Sequence, residues 1–145
     1  MSVVYADTSA LARVWFSDEP DHREISQIVL DGDDFIITSE LARPEFASAV
    51  YAASRDGRLS EPKAVLHRFD ADCGEKGSIA LLPLEPSSIF PSAVRLLGLY
   101  PLRTLDAIHL AVALEEKGSA GEDFALLTRD DRQGEAAGAE GLLVL

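Results

Sequence analysis

The sequence predicts an α/β domain, a parallel sheet of about five strands covered by helices on both faces. Three observations carry this. Short apolar runs of strand length alternate along the chain with longer segments of helical spacing. Helix start and stop signals fall between them. The 145 residues are 47% hydrophobic, without a repeat, low-complexity tract or long linker, so residues 1–145 are expected to form one domain around one substantial core.

The elements follow in order. Residues 3–6 form a β-branched run ending at Asp7, after which Thr8 or Ser9 caps a helix to about Phe16. Asp18, Glu19 and Pro20 read as a second helix start, with Ile25, Ile28 and Val29 at helical spacing and Asp31-Gly32 as the stop. Residues 35–38 are the second strand. The next helix spans about 40–54 and packs through Leu41, Phe46 and Val50, so Pro44 must lie in its first turn. Ser60, Glu61 and Pro62 open a helix with Val65, Leu66 and Phe69 inward. Residues 79–84 are the third strand, and 86–97 a helix ended by Gly98. Thr104 caps a helix to about Lys117. Residues 123–128, 131–137 and 142–145 read as strand, short helix and strand.

The net charge of −12 argues against a general nucleic-acid coat protein but not against an enzyme acting on nucleic acid at a locally compensated site. The acidic excess suits a partner with a basic segment, or simply solubility. One cysteine, Cys73, excludes an internal disulfide framework and a thiolate-rich zinc site. No signal peptide is visible, and no apolar run approaches the ~18 residues of a membrane helix, so a cytoplasmic protein is expected.

Four carboxylates sit where a strand ends or a helix begins: Asp7, Glu45, Asp106 and Asp130. In a parallel sheet such positions share the carboxyl edge, where α/β domains carry their sites. Each has a structural reading beside the functional one. Asp7 suits a turn or cap, and Glu45 a surface position at a face boundary. Asp106 suits the dipole of its helix, and Asp130, or its neighbour Asp131, a cap. Together they repel unless a cation joins them. A hard divalent ion, Mg²⁺ or Mn²⁺, is the simplest partner, and in-line attack of metal-activated water on a phosphodiester the expected chemistry.

The segments Val3-Val4-Tyr5-Ala6-Asp7-Thr8-Ser9, Ser39-x-Leu41-x-x-x-Glu45, Leu102-Arg103-Thr104-Leu105-Asp106-Ala107-Ile108-His109 and Leu127-Thr128-Arg129-Asp130 resemble the PIN-domain ribonucleases, most closely the VapC-type toxins of toxin–antitoxin pairs. The resemblance covers essentially the whole chain. It implies a three-layer α/β/α fold, Mg²⁺- or Mn²⁺-dependent cleavage of RNA, and a homodimer inhibited by a cognate antitoxin. It also implies that Asp7, Glu45 and Asp106 are the core catalytic metal ligands, that Asp130 is a fourth acid, and that Ser9 and Thr128 are supporting hydroxyls.

Arg103, Arg129 and Arg132 flank these segments and are candidates for RNA phosphate contacts, or ordinary solvated charges. Arg13 and Arg43 are weaker candidates, also able to meet the antitoxin. His109 shares a helix face with Asp106 and is read as a packing or supporting residue rather than a general base. Trp15 and Phe16 are read as core, or as part of a groove for the antitoxin's helix. The dimer is expected to share an apolar surface near the first two helices or the Glu45 helix. An aspartate-centred phosphatase or receiver is the poorer reading: Ser9 stands where the phosphatase wants a second aspartate, and the lysines (Lys63, Lys76 and Lys117) fall in helices. A non-catalytic binding module and a PIN nuclease of RNA processing are the remaining rivals.

Overall fold

The first strand, Val3–Ala6 (β1), alternates its side chains between two cores. Val4 and Ala6 enter one, Tyr5 the other, and all three are fully buried. That places β1 at the centre of a sheet covered on both sides. A computed structural model describing residues 2–145 shows this sheet. It has five strands, all parallel, in the order β3-β2-β1-β4-β5, where β2 is Phe35–Ser39, β3 Ile79–Leu82, β4 Phe124–Leu127 and β5 Leu143–Val144. The strand order reverses at β1, which pairs with β2 on one side and β4 on the other. The crevice beyond the carboxyl ends of β1 and β4 is therefore the switch point of the sheet.

One helical layer holds α1 (Thr8–Trp15), α2 (His22–Val29), α3 (Ala42–Arg55) and α4 (Pro62–Asp72), packed on Val4, Ala6, Ile36 and Ile79. Its centre is aromatic. Phe46 is fully buried and stacks on Phe69 with ring centroids 4.6 Å apart, and Trp15 closes on both at 5.0 Å. Phe46→Ala is expected to cost about 3–5 kcal/mol, through lost burial and the cavity left behind, read by urea unfolding. The other layer holds α5 (Pro86–Leu99), α6 (Thr104–Ala120) and α7 (Asp131–Ala139), packed on Tyr5, Ile37, Phe124 and Leu126. Residues 107–113 of α6 are all buried, which is why that segment is apolar on every side.

The architecture is the expected α/β/α sandwich. Several boundaries differ. Pro20 lies in a turn, not in a helix, and α2 begins at His22. The carboxylates of Asp18 and Glu19 are drawn to Arg58, Asp21 takes a left-handed conformation (φ 63°), and the His22 ring bonds the Arg13 carbonyl at 2.6 Å. Gly98 does not end α5, because the helix runs on to Leu99. Arg103, rather than Thr104, is the N-cap residue of α6. Leu84 is outside β3, its N–H taken by the Glu40 carboxylate at 2.8 Å. Among the described residues, no single helix is long and apolar enough to cross a membrane.

Candidate active site

The turn after β1 delivers Asp7 as the N-cap of α1. Its carboxylate is almost completely buried and held from three sides. Ser9 Oγ donates to Oδ1 at 2.7 Å, the Ala10 N–H donates to the same oxygen at 3.1 Å, and Thr128 Oγ1 lies 3.1 Å from Oδ2. Burial nevertheless pushes its carboxyl up to about 6, the hydrogen bonds and His109 recovering only part of the lost hydration.

The turn after β4 supplies Thr128 and Asp130. Asp130 caps α7, its Oδ1 accepting from the Gln133 N–H at 2.8 Å. The buried Gln133 side chain ties the segments together. Its Oε1 lies 2.7 Å from Thr128 Oγ1, and its Nε2 donates to the Asp106 carbonyl at 3.0 Å. Asp106 stands half-buried in the first turn of α6. Its carboxyl is raised by burial and then by the charge of Asp130, against the pull of His109 and Arg103. Glu45, in the first turn of α3, receives Thr8 Oγ1 at 3.0 Å and contacts His109 Nε2 closely through the same oxygen, Oε1.

All four carboxylates line one cleft with Thr8, Ser9, Arg103, Thr104 and His109. The cleft lies at the carboxyl edge of the sheet. Arg103 also lines an adjoining groove with Asp106, Asp130, Asp131 and Arg132. Asp130 faces both spaces, whereas Asp131 is exposed and lines the groove but not the cleft. Arg129 does not join the cleft. Its guanidinium bonds Asp21 at 3.0 Å and the carbonyls of Thr128 and Leu145 at 2.9 and 3.1 Å, anchoring the turn after β4 to α2 and β5. Its flanking position in the chain suggested a phosphate contact, but the chain turns its side chain the other way. Arg43 is likewise occupied, in a bidentate pair with Asp70.

Three residues of the constellation escaped the sequence reading. Tyr5 looks like any inward strand residue, and Thr8 like a cap. Gln133 carried a signal, since an acceptor at the cap followed three residues later by Gln is the capping-box spacing.

The donor set is all-oxygen, anionic and partly desolvated, with Arg103 the one guanidinium lining the cleft among the described residues. This composition fits a hard divalent cation. Among the described residues no three His, Cys, Asp or Glu side chains stand close enough to chelate an ion as they are, and the His109 contact occupies Glu45 Oε1. Chelation would require these side chains to converge.

The PIN-domain family model matches residues 4–139. Ribonuclease VapC35 of Mycobacterium tuberculosis is 32% identical over 99% of this chain and 96% of its own. Among solved structures, the fold resembles M. tuberculosis VapC20, a sarcin–ricin loop cleaving toxin, with a TM-score of 0.67, 14% identity and coverage of 97% and 96% of the two chains. It also resembles a chain of a toxin–antitoxin complex from Klebsiella pneumoniae, with a TM-score of 0.56, 20% identity and coverage of 90% and 88%.

Proposed function

The chain belongs to the PIN-domain family, and from that premise we propose that it is an endoribonuclease toxin. It hydrolyses RNA phosphodiesters at the carboxylate cleft and is restrained by a cognate antitoxin protein. The observation that carries the reading is the meeting of Asp7, Glu45, Asp106 and Asp130, from four separate segments, in one cleft at the sheet's switch point. The relative named a ribonuclease supports the activity, and the neighbour solved as a toxin–antitoxin complex supports the partner. A homodimer goes with the same reading. The exposed apolar residues available to it gather on α5, at Phe90, Val94, Leu97 and Leu99, more than on the first two helices. Action on RNA in the cytoplasm completes the assignment.

Asp7, Glu45 and Asp106 would hold Mg²⁺ or Mn²⁺, with Asp130 as the fourth acid. When bound, the ion supplies Lewis acidity to the scissile phosphate and to the attacking water. The protein's own residues do the rest. Ser9 and Thr128 hold the Asp7 carboxylate in one orientation. Gln133 fixes the start of α6 against the end of β4, which sets Asp106 beside Asp130. Arg103, at the junction of cleft and groove, binds a backbone phosphate of the RNA, and Arg132 extends that contact along the groove. Arg103→Ala is expected to weaken RNA binding and to reduce the salt dependence of log K by ~0.7. Arg129→Ala is expected to leave that slope unchanged and to lower the melting temperature, because it removes an anchor rather than a phosphate contact.

The deciding experiment is cleavage of total cellular RNA by the purified protein in Mg²⁺, Mn²⁺ or EDTA. Discrete fragments that require a divalent ion are expected. No cleavage together with no metal binding would overturn the proposal in favour of a non-catalytic module.

A further inference from the structure

His109 is 1% exposed, at the third position after Asp106 on the most buried stretch of α6. A buried imidazole needs a partner on each nitrogen. Here both partners come from other layers of the fold. Nδ1 is 2.6 Å from the hydroxyl of Tyr5, in the central strand. Nε2 is in close contact with Glu45 Oε1, on the helical layer across the sheet. The line Tyr5–His109–Glu45 therefore runs over the carboxyl edge of β1 and ties the α6 layer to the α3 layer at the cleft.

The direction of the second bond follows from electrostatics. A lone pair on Nε2 would face a carboxylate oxygen, so the proton sits on Nε2 and is donated to Glu45. Nδ1 is then left to the Tyr5 hydroxyl, which holds that side of the ring. The tyrosine thus holds the ring with Nε2 toward Glu45. Thr8 Oγ1 donates to the same Oε1, so both protein bonds to Glu45 fall on one oxygen and Oε2 is left for the cleft.

We propose that Tyr5 and His109 are positioning residues that pin Glu45 through Oε1 and so present Oε2 to the divalent cation. The proposal rests on the metal-dependent reading of the cleft. It assigns to a buried tyrosine and histidine, acting through Glu45, control over how tightly the ion is held. Partners of this kind, lying behind the ligands, typically govern 10–100-fold in metal affinity.

The test is Mn²⁺ affinity of the full chain by titration calorimetry, with ring ¹⁵N spectra of His109. His109→Leu, which fills the site but donates nothing, is expected to bind Mn²⁺ at least ~10-fold more weakly than wild type. His109→Gln, which restores an N–H toward Glu45, is expected to recover most of that loss. Tyr5→Phe, differing by one oxygen, is expected to weaken binding ~3–10-fold while its circular dichroism stays native. In the wild-type spectrum, the His109 Nε2–H should be protected from exchange and should shift in Glu45→Gln. Wild-type affinity in His109→Leu, or a proton found on Nδ1 alone, would overturn this inference and leave the nuclease reading standing. Absence of Mn²⁺ binding by the wild-type chain would overturn both.

Discussion

Asp7→Asn is expected to lose at least ~10³-fold in RNA cleavage and, in EDTA at pH 7, to melt at a higher temperature than the wild-type chain. The two effects share one cause. In the folded chain the Asp7 carboxyl is raised from 3.8 to about 6 by burial, so the ionised side chain is held at a cost of about 3 kcal/mol when no cation is bound. The sign follows from linkage. The folded state binds the proton more tightly than the unfolded one. The stability contributed by protonation is therefore fully present below about pH 4 and lost as pH rises through about 6. Metal-free wild type should accordingly gain stability from this group between pH 7 and pH 5, whereas Asp7→Asn should not show that part of the pH dependence.

The asparagine fits the same network. Its carbonyl oxygen keeps the bonds from Ser9 and Ala10. Its amide donates to Thr128 Oγ1, which is free to donate in turn to Gln133 Oε1. A net gain of about 1–2 kcal/mol remains after the cost of burying the amide, or several degrees in Tm. Retained cleavage would remove Asp7 from the metal site. A lowered melting temperature in EDTA would show that its charge stabilises the apo-protein, against the burial argument.

The second expectation concerns the ion. Mn²⁺ at a hundred times its dissociation constant should stabilise the wild-type chain by about 2.7 kcal/mol, and Asp106→Asn should abolish most of that rise. Asp106 is half-buried, and among the described residues its carboxylate makes no side-chain hydrogen bond that orders the fold. Replacing its charge relieves the cost of burial and the repulsion from Asp130 and Glu45, and loses the attraction of His109, Arg103 and the start of α6. These offset, so metal-free stability should stay within about 0.5 kcal/mol of wild type. Thermal melts with and without Mn²⁺ decide it. An equal metal-induced rise in the variant would mean that the ion sits elsewhere, and intact cleavage would mean that Asp106 is only a helix-start residue.

Much of this was legible in the chain. Each strand and helix announced itself through a local pattern, and each of the four acids was marked by its place at the end of a strand or the start of a helix. The family resemblance then tied those positions to one chemistry. Local patterns are weaker where a turn competes with a helix. Pro20 looked like a first-turn proline, yet Arg58, from the loop after α3, draws Asp18 and Glu19 into a turn that delays α2.

What joins the acids could be seen only in three dimensions. Tyr5 and His109 are 104 positions apart, Thr128 and Asp7 121, and Glu45 meets His109 from across the sheet. Arg129, beside Asp130 in the chain, turns to Asp21 and leaves the cleft to Arg103. Periodicity and spacing report which way a backbone segment presents its side chains, because that is set within a few residues. Which buried hydroxyl, amide or imidazole completes a carboxylate's hydrogen bonds depends on how two helical layers close over the edge of a sheet, and packing across the whole chain sets that.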